Sequence, residues 1–346
     1  MKYLFLPTMR KILILIFGIS IGISACDSSF NITADYQEIP IIIGLLDIQD
    51  SVHYVSITKA FLDEELDALF MAQQADSLFF PDQLVVEIEE YNNGNLVSTN
   101  ELQRVNGNDV GIVRDEGVFI DAPNILYQYN KNLTEENTYK LTVFNSTTGH
   151  TASAETEIIH DFEFDVLLTP TNEAPFQVIN FVSGTPRLIQ YRIPTNSRFY
   201  DFSIDFNYRE SNINDPNDYE DKKITLTIED EKVIELHEQR DLKRVSIGQS
   251  DFFNWITGQI QPDPNVTRCP GYIDFNYAYG DSTFYNYFLI NNANEGLTSN
   301  QASTVYTNID GGFGLFSSRQ IRKVNLGDIY EFAEQDGFEL SLSLIH

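Results

Sequence analysis

Hydrophobic and polar residues alternate along much of the chain from Ile39 onward, which is the pattern of half-buried β-strands. In the first half this pattern predicts strands at Ile39–Leu46, Val52–Lys59, Leu84–Glu90 and Gly117–Asp121, and a hairpin with arms at Tyr139–Val143 and Ala152–Ile158. The turn of that hairpin consists of residues that tolerate turn geometry. Short strands at this spacing predict an antiparallel sandwich of immunoglobulin-like type.

The second half predicts longer strands that are rich in aromatic residues. They are expected at Arg187–Ile193, Arg198–Arg209, Lys222–Glu229, Lys232–Leu236, Tyr272–Tyr279 and Phe284–Ile290. Gly280–Ser282 is interpreted as a tight hairpin turn between the last two of these strands. The alternation over Phe338–Leu344 predicts a final strand.

Two segments depart from the alternation and predict short helices. Asp63–Leu78 has acidic residues at its start and leucines at helical spacing, and Pro81 would end it. Asp251–Ile260 has Ser250 as a candidate N-cap and Pro262 beyond its end. We therefore expect a mostly β protein of two antiparallel β-sandwich-like domains, residues 39–160 and 161–346, of which the first is immunoglobulin-like.

The N-terminus predicts secretion and lipid anchoring. Three basic residues precede the apolar run Ile12–Ile19, which is too short to span a bilayer and is typical of a signal peptide. The next residues, Ile23–Cys26, match the lipobox of bacterial lipoproteins, with an aliphatic residue, two small residues and a cysteine. We predict a signal peptide at residues 1–25, lipidation of Cys26 and a short tether at residues 26–38. The alternative is an ordinary signal peptide followed by a chance cysteine.

Charge and cysteine content narrow the possible functions. The formal net charge is −29, and removal of the signal peptide with its three basic residues would make it −32. Such a surface repels nucleic acid and anionic lipid, so we expect no nucleic-acid partner. The sequence contains two cysteines, Cys26 and Cys269. If Cys26 is lipidated, Cys269 has no cysteine with which to pair, so no intrachain disulfide can form. Hydrophobic cores must therefore hold the fold together, and 42 % hydrophobic residues in 346 suffice for two domains.

The glycine-rich stretch Tyr306–Ser318 is the first candidate for chemistry. A phosphate-binding loop would need two glycines five residues apart followed by lysine, and a dinucleotide fingerprint would need a third glycine at Ser317. The residues after Gly314 favour a strand and not a helix. We interpret Asp310–Gly312 as a turn between strands at Val305–Ile309 and Phe313–Phe316.

Other short motifs match catalytic or metal-binding patterns only in part. His237-Glu238 begins like a zinc-protease motif but lacks the second histidine, and Ser56–Lys59 matches an acyl-serine pattern on a predicted strand. The acidic segment at residues 212–221 carries oxygen ligands that calcium prefers, although a solvated turn explains it equally well. We predict no catalytic residue, no metal site and no cofactor, and the aromatic strands are expected to form a core.

The C-terminal part resembles a family of Bacteroidota-type outer-membrane lipoproteins that contain a domain of unknown function. The resemblance rests on Tyr306–Ile309, Asp310–Gly312 and Gly314–Arg319, with support from Phe199–Phe206, Tyr272–Phe275 and Phe284–Tyr287. Such proteins tend to be encoded near TonB-dependent receptors. The resemblance implies an accessory or ligand-presenting role at the outer membrane, and it carries over no catalytic residue.

We therefore expect a non-enzymatic, lipid-anchored outer-membrane protein that binds a ligand or a partner, such as a receptor, in an envelope uptake or assembly system. The sequence leaves both the periplasmic face and the cell-surface face of the outer membrane as alternatives for this protein. One alternative is a glycan-binding module, which would need exposed aromatic rings. Another is a hydrolase built from paired carboxylates, for which the sequence offers no reason to choose a pair.

Overall fold

The computed structural model describes residues 38–60, 68–161, 187–235, 238–294 and 306–328, and this part of the protein is mostly β. The strands are β1 (Pro40–Asp47), β2 (His53–Lys59), β3 (Leu84–Asn92), β4 (Asn95–Glu101), β5 (Gln103–Asn106), β6 (Ile125–Tyr129), β7 (Asn137–Asn145), β8 (Thr151–Glu157), β9 (Arg187–Arg192), β10 (Phe199–Asn212), β11 (Asp215–Val233), β12 (Leu242–Ile247), β13 (Val266–Gly280) and β14 (Phe313–Asp328). The α-helices are α1 (Ala68–Ala72), α2 (Ala75–Leu78), α3 (Gln249–Gln259) and α4 (Ser282–Asn294).

The first half forms an immunoglobulin-like sandwich, as predicted. One layer contains β1, β2, β6 and β5 side by side, and the other contains β4, β3, β7 and β8. In immunoglobulin lettering these layers are the A-B-E-D and C′-C-F-G sheets. Alternate residues of both layers form the shared core, including Val55, Ile57, Ile88 and Leu141, which are at most 1 % exposed.

A tyrosine near the start of β7 reinforces this assignment. The Tyr139 hydroxyl accepts a hydrogen bond from Thr134 N at 2.8 Å and donates one to Glu90 Oε1 at 3.2 Å. A tyrosine that bonds back to the backbone before strand F is a hallmark of the immunoglobulin corner. Burial raises the pKa of Tyr139 to about 12, so the hydroxyl stays protonated and keeps donating to Glu90.

The second half extends the A-B-E-D sheet. β14 pairs with β1 in parallel, from Ile41 opposite Phe313 to Asp47 opposite Arg319. The sheet then continues through antiparallel pairs in the order β14, β13, β10 and β11. The expected halves 39–160 and 161–346 thus share one sheet, and the described residues from Glu38 onward belong to one compact unit. Alternation identifies strands locally, but it does not report a pairing partner at the other end of the chain.

The aromatic face of β10 and β13 packs beneath the two-stranded β9–β12 sheet and α3. Tyr191, Phe202, Phe206 and Phe252 are at most 1 % exposed. The rings of Phe202 and Tyr277 stack with their centroids 4.5 Å apart and their planes 3° from parallel. These aromatic residues form a core, as the alternation predicted.

The strand predicted at Phe284–Ile290 is wrong, because these residues lie in α4. Asp281, which we interpreted as part of a hairpin turn, caps this helix by accepting a hydrogen bond from Phe284 N at 2.8 Å. Phe284 and Phe288, one helical turn apart, both lie against Phe199, with ring centroids 5.4 and 6.0 Å away. Side chains four residues apart share a face in a strand as well as in a helix, so this spacing does not distinguish the two.

Other predicted strands need correction at their boundaries. Gly117–Asp121 lies in the loop between β5 and β6 and forms no strand. Lys222–Glu229 and Lys232–Leu236 are not separate strands, because β11 runs through Glu231 to Val233. A register shift against β10 at this point accommodates the extra residues as a bulge. The predicted strand at Phe338–Leu344 lies outside the described residues.

Both predicted helical regions contain helices, with different limits. The region Asp63–Leu78 contains α1 and α2, and its residues 63–67 lie outside the described part. In α3 the N-cap position is Gly248 and not Ser250. In the described part of the chain, no helix is both long enough and apolar enough to cross a membrane.

Candidate functional site

The glycine-rich segment is a joint between the C-terminal part and the sandwich. Residues 306–309 do not form the strand that we expected before the turn. Instead, the Asn308 side chain pairs with the backbone of Phe316, donating to its O at 2.7 Å and accepting from its N at 3.0 Å. Asp310 exchanges two backbone hydrogen bonds with Ser153 of β8, at 2.8 and 2.9 Å. The segment is therefore fastened to β8 of the sandwich and to β14.

Two glycines make this joint sterically possible. Gly311 has φ +75°, and a Cβ there would lie 2.5 Å from Thr151 O. Gly314 has φ +111°, and a Cβ there would lie 1.9 Å from Ile42 O. A side chain at Gly311 would push the turn away from β8, and one at Gly314 would push β14 away from β1. The glycine spacing thus reflects close backbone packing.

The serines that follow bind the cap of α4. Ser317 Oγ donates to Asp281 Oδ1 at 2.5 Å, and Ser318 N donates to Asp281 Oδ2 at 3.1 Å. Thr156 Oγ1 on β8 also donates to Oδ2, at 3.3 Å. Ile159 N donates to Ser318 Oγ at 2.9 Å. Asp281 therefore joins α4, β8 and β14, and sequence reasoning missed this role, although an Asp-Ser-Thr start is a recognisable N-cap signal.

A polar cleft of about 450 Å³ opens beside Asp281. It is lined by Thr138, Glu155, Thr156, Glu157, Asn196, Gln239, Asp281, Ser282 and Thr283. Burial raises the pKa of Asp281, and the hydrogen bonds to its carboxylate oppose this rise. Because donors already occupy both carboxylate oxygens, this group holds the structure together and is not placed to transfer a proton to a ligand in the cleft.

The paired-carboxylate hypothesis has a structural candidate on the sheet. Asp205 of β10 and Asp274 of β13 lie directly opposite each other. Asp205 accepts from Thr225 Oγ1 at 2.6 Å and from Lys223 Nζ at 3.0 Å. Asp274, whose side chain is fully buried, lies 2.6 Å from Lys323 Nζ. Each carboxylate therefore has a lysine of its own.

The electrostatics of this pair do not suit acid–base catalysis. Burial acts to raise the pKa of Asp205, but hydrogen bonds from Thr225, Lys223 and Asn276 outweigh it and lower the pKa. The hydrogen bond to Asp274 raises the pKa of Lys323. A catalytic dyad needs one carboxyl group that holds a proton near its working pH. Here the pKa of Asp205 is lowered, and each carboxylate contacts a lysine, so the pair stabilises the sheet.

The remaining motif residues do not come together as the corresponding chemistry requires. Ser56 and Lys59 lie three residues apart on β2 and so point to opposite faces, and Lys59 Nζ lies 3.7 Å from Glu38 Oε1. Cys269 is half-buried on β13 opposite Arg209. His237 and the predicted lipidation site Cys26 lie outside the described residues.

The acidic segment at residues 212–221 forms the tip of the β10–β11 hairpin. Asp221 makes two hydrogen bonds with the guanidinium of Arg209, at 2.7 and 3.0 Å. Asp215 Oδ1 accepts from Asn217 N at 3.1 Å. No group of three or more potential ligands converges as a metal site within the described ranges. Calcium binding at this tip stays a hypothesis without a structural cluster to support it.

Comparisons with known proteins add little. No protein-family model and no curated protein matches the chain. Among solved structures, a cytokine receptor complex matches 69 % of this chain and 90 % of its own chain, at 11 % identity and a TM-score of 0.19. A likeness at that TM-score supports no inference about this protein.

Proposed function

We propose that this protein is a non-enzymatic lipoprotein of the outer membrane that binds a ligand or a partner protein in an envelope uptake or assembly system. The observation that carries the proposal is the lipobox Ile23–Cys26 directly after a signal-peptide pattern. Several acyl chains on Cys26 would anchor the body stably, because each buried CH₂ contributes about 0.8 kcal/mol.

The arrangement of the carboxylates supports a binding role over a catalytic one. Asp281 is saturated by hydrogen-bond donors, and Asp205 and Asp274 are each matched by a lysine. The buried aromatic rings also weaken the glycan-binding alternative. Phe202, Phe206 and Tyr277 fill the core and cannot stack on a sugar.

Metabolic labelling with a radioactive fatty acid tests the anchor. The wild-type protein should carry the label and float with outer-membrane vesicles, whereas Cys26→Ser should lose both properties. Cys269→Ser is the matched control, because it removes the other cysteine and should leave labelling unchanged. Equal labelling of wild type and Cys26→Ser would refute the proposed anchor.

Chemical crosslinking in intact cells, followed by purification from membranes, tests the partner. The proposal predicts that a receptor or another envelope protein is recovered reproducibly with the wild type and lost with Cys26→Ser. Recovery of no envelope protein from wild-type membranes would count against the partner and would leave the anchor itself intact.

A further inference from the structure

Several large apolar side chains are exposed on two neighbouring segments of the sandwich. They are Leu69 and Phe70 on α1 and Val113, Val118 and Phe119 in the loop between β5 and β6, with exposed fractions of 47–70 %. We call these five residues the apolar tip. Exposed apolar clusters of this kind mark surfaces that contact a membrane or another protein.

Hydrogen bonds hold the two segments together. Ile120 N donates to Ala72 O at 3.0 Å, at the end of α1, and the Gln73 side chain donates to Val118 O. The Arg114 guanidinium lies over the ring of Phe119, 5.9 Å from its centroid. The exposed apolar residues of α1 and of the loop therefore belong to one surface.

Strand register places the apolar tip at the end of the sandwich where the chain enters. The first residue of β1, Pro40, pairs with the last residue of β2, Lys59. Near that end of β2, Ser56 pairs with Leu126 at the start of β6, directly after the loop that carries Val118. The tether therefore joins the body at the same end as the apolar tip.

The tether is also short. Residues 27–37, fully extended, let Cys26 lie at most about 40 Å from Glu38. A lipid on Cys26 thus leaves this end of the sandwich within reach of the bilayer. The β3–β4 turn lies at the opposite end, because Gln83, directly before β3, donates to Glu38 at the entry point, and β3 runs away from there over nine residues.

We infer that the apolar tip rests on the surface of the bilayer in which Cys26 is anchored, and that it inserts its phenylalanine and valine side chains among neutral headgroups. This inference rests on the proposed lipid anchor. Acidic residues near the tip, Asp109, Asp115, Glu116 and Asp121, outnumber Arg114. Anionic lipid is therefore disfavoured, and the surface suits zwitterionic lipid.

Two labelled variants of the full-length lipidated protein test the inference in phosphatidylcholine vesicles. Both carry Cys269→Ser, and each has one new cysteine for an environment-sensitive fluorophore. Val118→Cys reports on the tip. Val97→Cys is the matched control, because Val97 is the same residue type, is 56 % exposed against 53 % for Val118, and follows the β3–β4 turn at the opposite end.

Quenchers attached to the lipid chains should reduce the fluorescence at position 118 at least about threefold more than at position 97. Phe70→Ser with Phe119→Ser should abolish that difference, and replacing half of the lipid with phosphatidylglycerol should reduce it.

A protein that does not float with the vesicles overturns both the anchor and this inference. A protein that floats but shows equal quenching at both positions overturns the inference alone. A blue-shifted label at position 118 that lipid quenchers do not reach would mean that a second copy covers the tip, and it would also overturn the inference.

Discussion

The Ser317 hydroxyl lies 2.5 Å from Asp281 Oδ1 and connects the C-terminal motif to the first turn of α4. The same oxygen accepts from Phe284 N, and the other accepts from Ser318 N and Thr156 Oγ1. Asp281 is only 8 % exposed, so water cannot replace these partners fully. The two serines of the motif Gly314–Arg319 are thus structural, and one carboxylate joins three elements.

Replacing this carboxylate should destabilise the protein strongly. Asp281→Ala removes a helix cap and leaves buried donors without an acceptor, so we expect a loss of about 3 kcal/mol in the free energy of unfolding. Urea denaturation followed by circular dichroism measures it. Asp218→Ala at the exposed hairpin tip is the control and should change stability by less than about 0.5 kcal/mol. Equal midpoints for the two variants would contradict the role assigned to Asp281.

Gly314→Ala should disrupt the junction between β1 and β14. The added Cβ would meet Ile42 O at 1.9 Å, so the strands must separate, and we expect a loss of more than about 3 kcal/mol. Gly94→Ala is a matched control, because Gly94 also has a positive φ, +78°, but a Cβ added there would meet no atom within 4 Å. That variant should lose only about 1 kcal/mol. Thermal unfolding of both variants tests the difference, and similar losses would show that φ and not contact with β1 decides the cost.

The alternation of residues predicted the sandwich because β2, β3, β7 and β8 bury every second side chain over most of their length. Val55 and Ile57 on β2 and Leu141 on β7 show that period directly. The same rule identified the buried aromatic face of β10, with Phe202 and Phe206. Local patterning therefore sufficed wherever a strand has one buried face and one wet face.

The features that escaped prediction depend on distant partners. Nothing near Ile41 in the sequence indicates a parallel partner at Phe313, and nothing near Asp205 indicates that Asp274 and its lysine lie opposite. The sequence Gly-Asp-Ser before Thr283 suits both a hairpin turn and a helix N-cap, and the contacts with Ser317 decide between them. The site around Asp281 was therefore not predicted, because strand pairing and not a contiguous motif brings its residues together.

The buried Glu90 should make stability depend on pH. Burial acts to raise its pKa, but hydrogen bonds from Asn137, Ser98 and Tyr139 outweigh it, so the folded-state pKa lies below the ordinary value of 4.5. Glu90 therefore contributes stability above about pH 4.5 and loses it as the pH falls through the folded-state pKa.

Urea unfolding of wild type and Glu90→Gln between pH 7 and pH 3 tests this sign. The wild type should be the more stable protein near pH 7, and its advantage should shrink below pH 4.5. Glu157→Gln, at an exposed position on β8, is the control and should stay within about 0.5 kcal/mol of wild type at neutral pH. An advantage of the wild type that grows on acidification would reverse the sign and contradict the assignment.

Lys323 should matter more than an ordinary surface lysine, because its partner is fully buried. Lys323→Met would remove the ammonium group 2.6 Å from the Asp274 carboxylate, which lies beside the like charge of Asp205. We expect a loss of about 2 kcal/mol, below the full penalty for an unpaired buried charge because Asn207 still donates to Asp274. Lys232→Met is the matched control, since Lys232 is about as exposed as Lys323 but its pair with Glu229 is 3.8 Å long and Glu229 is only half-buried, and it should cost less than about 0.5 kcal/mol. Adding Asp274→Asn to Lys323→Met should recover stability, because the buried charge is then gone. If the double variant is no more stable than Lys323→Met alone, the loss comes from side-chain packing and not from the uncompensated carboxylate.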